Sequence, residues 1–255
     1  MDDFTGGGAP LSQAGFDAAL QTIGIPPETM WSALAVETSG CGYLADRRPK
    51  ILFERHYFHR LTAGKYDGSN PDISNPSAGG YGLGGAHQYE RLGVALKLDR
   101  AAALQSASWG LGQIMGANFK AAGYGDVEAM VKDFVSSEDS QLKGIAAFVA
   151  ASPMKAALQA MDWAGYARIY NGPSYSANDY DTKLAAAYAR FSMGSCPDLT
   201  VRAVQVYLTY LGYNPGPIDG VVGPSTSKAV EAFQLKAKAP EGADLPATLE
   251  LLRAA

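Results

Sequence analysis

Met30 to Gly40 reads MWSALAVETSG, and the fold turns on how that stretch is placed. Counting back from Glu37 at helical spacing gives Leu34, Ala33 and Met30, so a carboxylate continues an apolar stripe meant for the core. Pro26-Pro27 opens the helix, and Gly40 and Gly42 are natural stops, which puts Glu37 at its C-terminal end. Burial and the negative end of the helix dipole both favour the neutral acid, so the sequence predicts a raised pKa for Glu37. A carboxylic acid that stays protonated near neutral pH is the proton donor that glycoside cleavage requires. The plainer reading is a rim glutamate that swings into solvent from a frayed helix end.

Outward from this helix, two further segments complete a constellation. Ser106 to Gly116 reads SASWGLGQIMG, in which glycines frame a tight turn bearing Gln113. Tyr170-Asn171-Gly172-Pro173 closes a helix expected to end near Ile169, the Gly-Pro pair enforcing the stop. The order of an acid-bearing helix, a glycine-rich turn and a Tyr-Asn-Gly turn resembles the lysozyme-like superfamily, in particular goose-type lysozymes and soluble lytic transglycosylases. It is more similar still to the N-acetylmuramidase family of phage endolysins, through Ile51 to His56 (ILFERH), Ser106 to Gly116, and Asp162 to Pro173 (DWAGYARIYNGP). The resemblance spans roughly residues 14 to 193. It departs from the wider pattern at Thr38, where Ser is usual, and at Gly112, where Met is usual; neither change touches the acid.

The resemblance implies a mainly α, lysozyme-like helical domain with a small β or extended excursion. Leu11 to Ile23 reads as a helix ahead of the acid-bearing one. Residues 41 to 100 are broken by Gly, Pro, Asn, Asp and Ser, above all in GSNPDISNPSAGGYGLGG from Gly68 to Gly85, with Ile51-Leu52-Phe53 as a candidate strand. Helical patterning returns from Tyr89, through Asp99 to Ser106, Asn118 to Ala122, Val127 to Ser136, Ser140 to Ala151, Met154 to Ala160, Trp163 to Ile169 and Tyr180 to Phe191.

After Met193 a short linker, 194–198, leads to a second unit. Val201, Val204, Leu208 and Leu211 form a helical stripe, GPIDGVVGP from Gly216 to Pro224 is turn chemistry, and Ser225 or Thr226 can cap a helix carrying Val230, Phe233 and Gln234. This resembles the type 1 peptidoglycan-binding domain, a three-helix module, from Val201 to about Leu252, most specifically as far as Gln234. Asp219 and Gly220 read better as a tight turn than as ligand contacts. The expected organisation is therefore a catalytic domain over 1–193, a linker over 194–198 and a peptidoglycan-binding domain over 199–255.

The glycosidase template asks for a second carboxylate. Asp46, Glu54, Asp67 and Asp72 lie in the excursion, and Asp46 and Glu54 fall where the resembled folds return chain over the cleft. Asp46 can equally pair with Arg47 in a turn, and Glu54 can pair with Arg55 or His56 to hold the excursion. Both stay open as the residue that orients water or stabilises an oxocarbenium-like transition state. Ser108, Gln113, Tyr170 and Asn171 are the expected sugar-lining residues, since pyranose faces stack on rings and hydroxyls need fixed partners. Tyr124 joins that set as a candidate, although it and Trp109 and Trp163 also suit the core.

Composition narrows the function. The chain has 255 residues and a 47% hydrophobic content, ample for packed cores, and no run of membrane-spanning length. A net charge of -4 and a pI near 5.4, with no basic stretch, argue against nucleic acid as partner and against purely electrostatic docking on an anionic wall. Two cysteines, Cys41 and Cys196, are too few for a disulfide scaffold, and His56, His59 and His87 lack the spacing of a zinc site, so neither metal nor other cofactor is expected. The start, MDDFTGGGAPLSQAGF, has no signal-peptide pattern. These features, with the resemblance, lead to an expected monomeric enzyme made in a host bacterial cytoplasm and released to the cell wall by a holin. It would cut the β-1,4 bond between N-acetylmuramic acid and N-acetylglucosamine. The alternatives are a lytic transglycosylase giving 1,6-anhydro products and a non-catalytic wall-binding protein.

Overall fold

A computed structural model describes residues 4–38, 40–172 and 178–255. They hold thirteen α-helices and a three-stranded antiparallel sheet, so the mainly α expectation is met. Packing divides the chain into two compact units. One comprises Met1–Gly8 and Gly42–Ala151, the other Ala9–Cys41 and Ser152–Ala255.

In the first unit, strands β1 (Ile51–Phe53), β2 (Ala107–Trp109) and β3 (Ile114–Met115) form the sheet in that order, with Phe53 opposite Ala107 and Trp109 opposite Ile114. Around it lie α3 (Arg55–Leu61), α4 (His87–Leu98), α5 (Arg100–Gln105), α6 (Val127–Ser136) and α7 (Glu138–Ala150). Trp109 is fully buried, donating its indole N–H to the Leu104 carbonyl at 3.0 Å while Phe4 packs on its ring. Two buried polar side chains of α7 hold irregular backbone in place. Glu138 accepts from Gly42 N at 2.7 Å, and Gln141 accepts from Leu111 N at 2.7 Å and donates to Phe134 O at 2.8 Å. Buried amides need such partners, because no water reaches them.

Two expectations are corrected here. The excursion is not wholly irregular: RHYFHRL forms α3, a seven-residue helix too short and too lightly capped to stand out as periodic. The helix expected over 118–122 is instead a single 3₁₀ turn, Gly116–Asn118, followed by turns. The glycine-rich run is held from within the unit. Gln88 donates to the Tyr81 and Leu83 carbonyls, Arg55 to Ser77 O, and Arg91 to Asp72 O and Gly80 O. His59 Nδ1 lies 2.7 Å from Asp67, which also accepts from Ser74 Oγ, so this histidine is spent on the excursion itself.

The second unit contains α1 (Gln13–Ile23), α2 (Pro27–Glu37), α8 (Met154–Gln159), α9 (Trp163–Asn171), α10 (Tyr180–Met193), α11 (Leu199–Tyr210), α12 (Pro224–Ala237) and α13 (Leu245–Ala254). Ser12 caps α1 by accepting from Gly15 N, and Gly24 closes it in the left-handed conformation. Helix α10 packs along α2. Gln159 donates to Ile23 O, tying the end of α8 to the end of α1. The last three helices share a core of Ala203, Val204, Leu208, Ala229, Phe233, Leu249 and Leu252. Helix α12 starts two or three residues earlier than its hydroxyl residues suggest: Gly223 is the cap residue and Pro224 the first helical position, and Thr226 is buried with its hydroxyl donating to Pro215 O.

Candidate functional site

Helix α2 ends at Glu37, as its stop signals require. Met30, Ala33 and Leu34 are buried, and Glu37 at the end of the same stripe is half-buried. The chain then turns sharply. Thr38 donates both its N–H and its hydroxyl back to Leu34 O, at 3.0 and 2.7 Å, and Gly40 adopts a left-handed φ of 86°. The hydroxyl that replaces the usual serine is therefore used in finishing the helix.

Two phenols from α9 share this part of the second unit. Tyr166 is buried and Tyr170 half-buried, their rings stacked with centroids 5.5 Å apart. Burial pushes both hydroxyls well up from the ordinary tyrosine value, and the negative charge of Glu37 adds to the effect on each. Both phenols thus stay protonated near neutral pH, and can serve as hydrogen-bond donors but not as bases. Tyr170 was expected from the sequence; Tyr166, a buried residue of the apolar face of α9, was missed because nothing in its spacing separates it from core. Asn171 is the last residue of α9, and its side chain lies outside the described residues, as does Pro173.

In the first unit the other candidates separate into two groups. Ser108 sits on β2 and donates to Gln113 Oε1 at 2.8 Å, while Gln113 Nε2 donates to Gly110 O and Lys50 O at 2.9 and 3.1 Å. Gln113 is exposed at the tip of the SWGLGQ turn with a left-handed φ of 48°, a strained setting for a side chain with no β-branch or ring to enforce it. Both ends of the amide are thus committed to the turn, which holds this exposed side chain in a fixed place.

Glu54 follows β1 as the cap residue of α3. Its Oε1 accepts from Tyr81 Oη at 3.2 Å, and its Oε2 lies 3.1 Å from His56 Nδ1. Oε2 and His56 Nδ1 are both buried, yet neither makes a well-formed hydrogen bond among the described residues. Burial, followed by the charge of Glu54, raises the pKa of the Tyr81 hydroxyl, which therefore acts as a donor to the carboxylate. Tyr81 stands in the glycine-rich excursion and no sequence signal paired it with Glu54, 27 positions away.

Asp46 is in a different situation. It accepts from Arg48 through its backbone N–H at 3.1 Å and its guanidinium at 2.9 and 2.6 Å, a closed local fork on a turn. Burial opposes its ionisation, but those bonds win and hold its carboxyl below the usual value. Tyr124 donates to Asp133 Oδ2 at 2.6 Å and meets Phe134 edge-on, so its hydroxyl is already committed.

In the three-helix segment the GPIDG turn is built around one amide. Gln205, buried on α11, accepts from the backbone N–H groups of Asp219 and Gly220 at 3.0 and 2.9 Å and donates to Asp219 Oδ1 and Val221 O at 3.0 Å. Gly220 has a φ of 71°, and a Cβ there would stand 2.8 Å from Asp198 O. The Asp-Gly pair is thus needed by the turn itself.

Comparison with known proteins agrees with this layout. A family model described as N-acetylmuramidase matches residues 26–192, and one described as a peptidoglycan binding domain matches residues 198–241. The crystal structure of the Burkholderia AP3 phage endolysin superposes with a TM-score of 0.68 at 39% sequence identity, covering 72% of this chain and 72% of that one. No curated protein matches the chain.

Proposed function

The chain belongs to the N-acetylmuramidase family of glycoside hydrolases, and from that membership we propose that it is an endolysin cutting the β-1,4 bond between N-acetylmuramic acid and N-acetylglucosamine, with Glu37 as proton donor. The observation that carries the proposal is the ending of α2: a half-buried carboxyl closing an apolar stripe, beside two phenols that cannot ionise near neutral pH. General acid catalysis needs a proton held on the acid until the glycosidic oxygen draws it off. A half-buried position at the end of an apolar stripe suits that task.

For the second carboxylate the surroundings favour Glu54 over Asp46. Asp46 has spent its oxygens on Arg48, whereas Glu54 retains a buried oxygen without a well-formed bond and is oriented by Tyr81. Glu54 would take a proton from the attacking water or face the developing oxocarbenium charge. Tyr170 would donate to a sugar hydroxyl, and Ser108 and Gln113, whose polar atoms bond to each other and to backbone carbonyls, would present a fixed turn to the glycan.

The matches over 26–192 and 198–241 support dividing the chain into a catalytic domain, a linker at 194–198 and a wall-binding domain. No helix among the described residues is long and apolar enough to cross a membrane. The proposal places the action of the enzyme, a monomer, at bacterial peptidoglycan, with a holin as the way out of the producing cell.

Mass spectrometry of fragments released from purified peptidoglycan tests the reading. Wild type should yield reducing N-acetylmuramic acid ends, and Glu37→Gln should lower their release by about 10²–10⁴-fold, the usual worth of a general acid. Reducing N-acetylglucosamine ends would assign the cut to the other glycosidic bond, and 1,6-anhydro ends would mean transglycosylation. Undiminished release by the variant would remove Glu37 from the mechanism.

A further inference from the structure

The segment that follows the acid-bearing helix is clamped by residues of the wall-binding helices. Gly40 lies three positions beyond Glu37. Its carbonyl accepts a hydrogen bond of 2.7 Å from Arg202 Nη2, and Arg202, on α11, is only 3% exposed. On the other side of the same residue, a Cβ at Gly40 would stand 3.2 Å from both Cβ and O of Ile218, so the GPIDG turn packs directly on the glycine backbone. Glycine is demanded here twice, by its left-handed φ of 86° and by the closeness of Ile218.

The mount that carries this clamp is itself stiff. Asp198 caps α11 by accepting from Val201 N, and its N–H donates to Gly220 O at 3.1 Å. Gln205, one turn on from Arg202, binds the same turn through four hydrogen bonds. Arg202 and Ile218 therefore approach Gly40 from elements locked to each other. Burying a guanidinium costs more than burying a neutral donor, so the bond from Arg202 to Gly40 O is kept against a large desolvation cost. Helix ends are also where a helix frays first, and a terminal catalytic side chain inherits any fraying.

We propose that Arg202, with Ile218, is a positioning residue for Glu37: the wall-binding helices fix the C-terminal end of α2 and so set the aim of the acid, in addition to holding the wall. The inference rests on the reading of Glu37 as proton donor. It makes the binding module part of the hydrolytic machinery, so that activity on soluble glycan, which needs no wall anchoring, still depends on it.

The test uses the full-length chain on soluble, uncross-linked peptidoglycan strands, with sedimentation on insoluble sacculi as the separate measure of binding. Arg202→Met and Ile218→Gly should each lower kcat about ten- to hundredfold with KM and sacculus binding close to wild type, as expected for a displacement of the order of 1 Å at a catalytic group. Arg202→Lys, which keeps a donor, should recover part of the loss. Ile218→Gly guards against the chance that Arg202→Met simply unfolds, since Ile218 is only partly buried and the change removes the Cβ that meets Gly40. Wild-type kcat in folded Arg202→Met and Ile218→Gly would overturn the inference. So would loss of sacculus binding with kcat intact, which would confine Arg202 to the module. Glu37→Gln assayed alongside separates the failures: if it is inactive while Arg202→Met is unaffected, only the positioning role falls, and if it is fully active, the reading of Glu37 falls and takes this inference with it.

Discussion

Replacing Gln141 by Leu should destabilise the protein far more than its single lost amide suggests. Gln141 is fully buried on α7 and its two ends serve two backbone groups. Leucine nearly matches its volume, so no large cavity opens and the cost lies in hydrogen bonding. The Leu111 N–H loses its acceptor inside the protein, where water cannot take over, and an orphaned buried donor costs about 1–3 kcal/mol. The Phe134 carbonyl fares better, because it keeps the Tyr43 hydroxyl at 2.7 Å, so its share is a single bond worth about 0.5–1.5 kcal/mol. The sum is about 2–4 kcal/mol. At roughly 2–4 °C per kcal/mol for a chain of this size, the melting temperature should fall by about 5–15 °C in calorimetry. Gln113→Ala is the contrast: it removes three hydrogen bonds, but from an exposed side chain, and should cost under about 1 kcal/mol. A Gln141→Leu melting temperature within a degree of wild type, or equal to that of Gln113→Ala, would refute the reasoning, since it would mean that the burial of Leu111 N–H is not what Gln141 resolves.

Other consequences are open to measurement. Glu54→Gln should slow hydrolysis at least tenfold at pH 7 while Asp46→Asn leaves the rate within about twofold, read from reducing-end release; equal effects would reverse the choice of second carboxylate. Burial alone would raise the pKa of Asp133, but hydrogen bonds from Tyr124 and Ser140 outweigh it and hold the carboxyl below 3.8. A depressed folded-state value adds stability that is present above 3.8 and is lost as pH falls through the lower value, so Asp133→Asn should destabilise at pH 7 but narrow the gap to wild type in melts near pH 2.5. Gln205→Leu orphans two backbone N–H groups of the GPIDG turn and should weaken sedimentation with sacculi at least tenfold, scored by the bound fraction at increasing wall concentration.

Sequence legibility followed the range of the interactions. The end of α2 was readable because its determinants, Pro27 at one end and Gly40 at the other, lie within the segment they define. The same holds for the Asp219-Gly220 turn, whose φ only glycine suits, and the burial of Trp109 follows from the size and apolar character of its indole. Helix α3 escaped because seven residues after a strand give less than two clear turns of periodicity. Glu138 and Gln141 look like ordinary polar residues on a helix. Their partners are backbone amides 96 and 30 positions away, brought to them only by packing. Arg202 is hidden for the same reason: an arginine on a helix reads as solvated until the carbonyl of Gly40, 162 positions earlier, is found against it.

That distinction also explains why one carboxylate could be chosen from sequence and the other could not. The proposal of Glu37 as proton donor rests on its own helix, through the apolar stripe beneath it and the dipole at its end, and both are written locally. The choice between Asp46 and Glu54 depends instead on how many of each residue's lone pairs are already taken. Asp46 is answered by Arg48 two positions away, and three hydrogen bonds from that one residue occupy most of its lone pairs. Glu54 accepts a hydrogen bond from the Tyr81 hydroxyl, delivered by a loop whose course is fixed by Gln88, Arg91 and Arg55, and has His56 Nδ1 3.1 Å from its other oxygen without a well-formed bond. Charge alone does not make a carboxylate available for chemistry; it must also have an oxygen without a well-formed bond, and that is the ground on which Glu54 is proposed over Asp46.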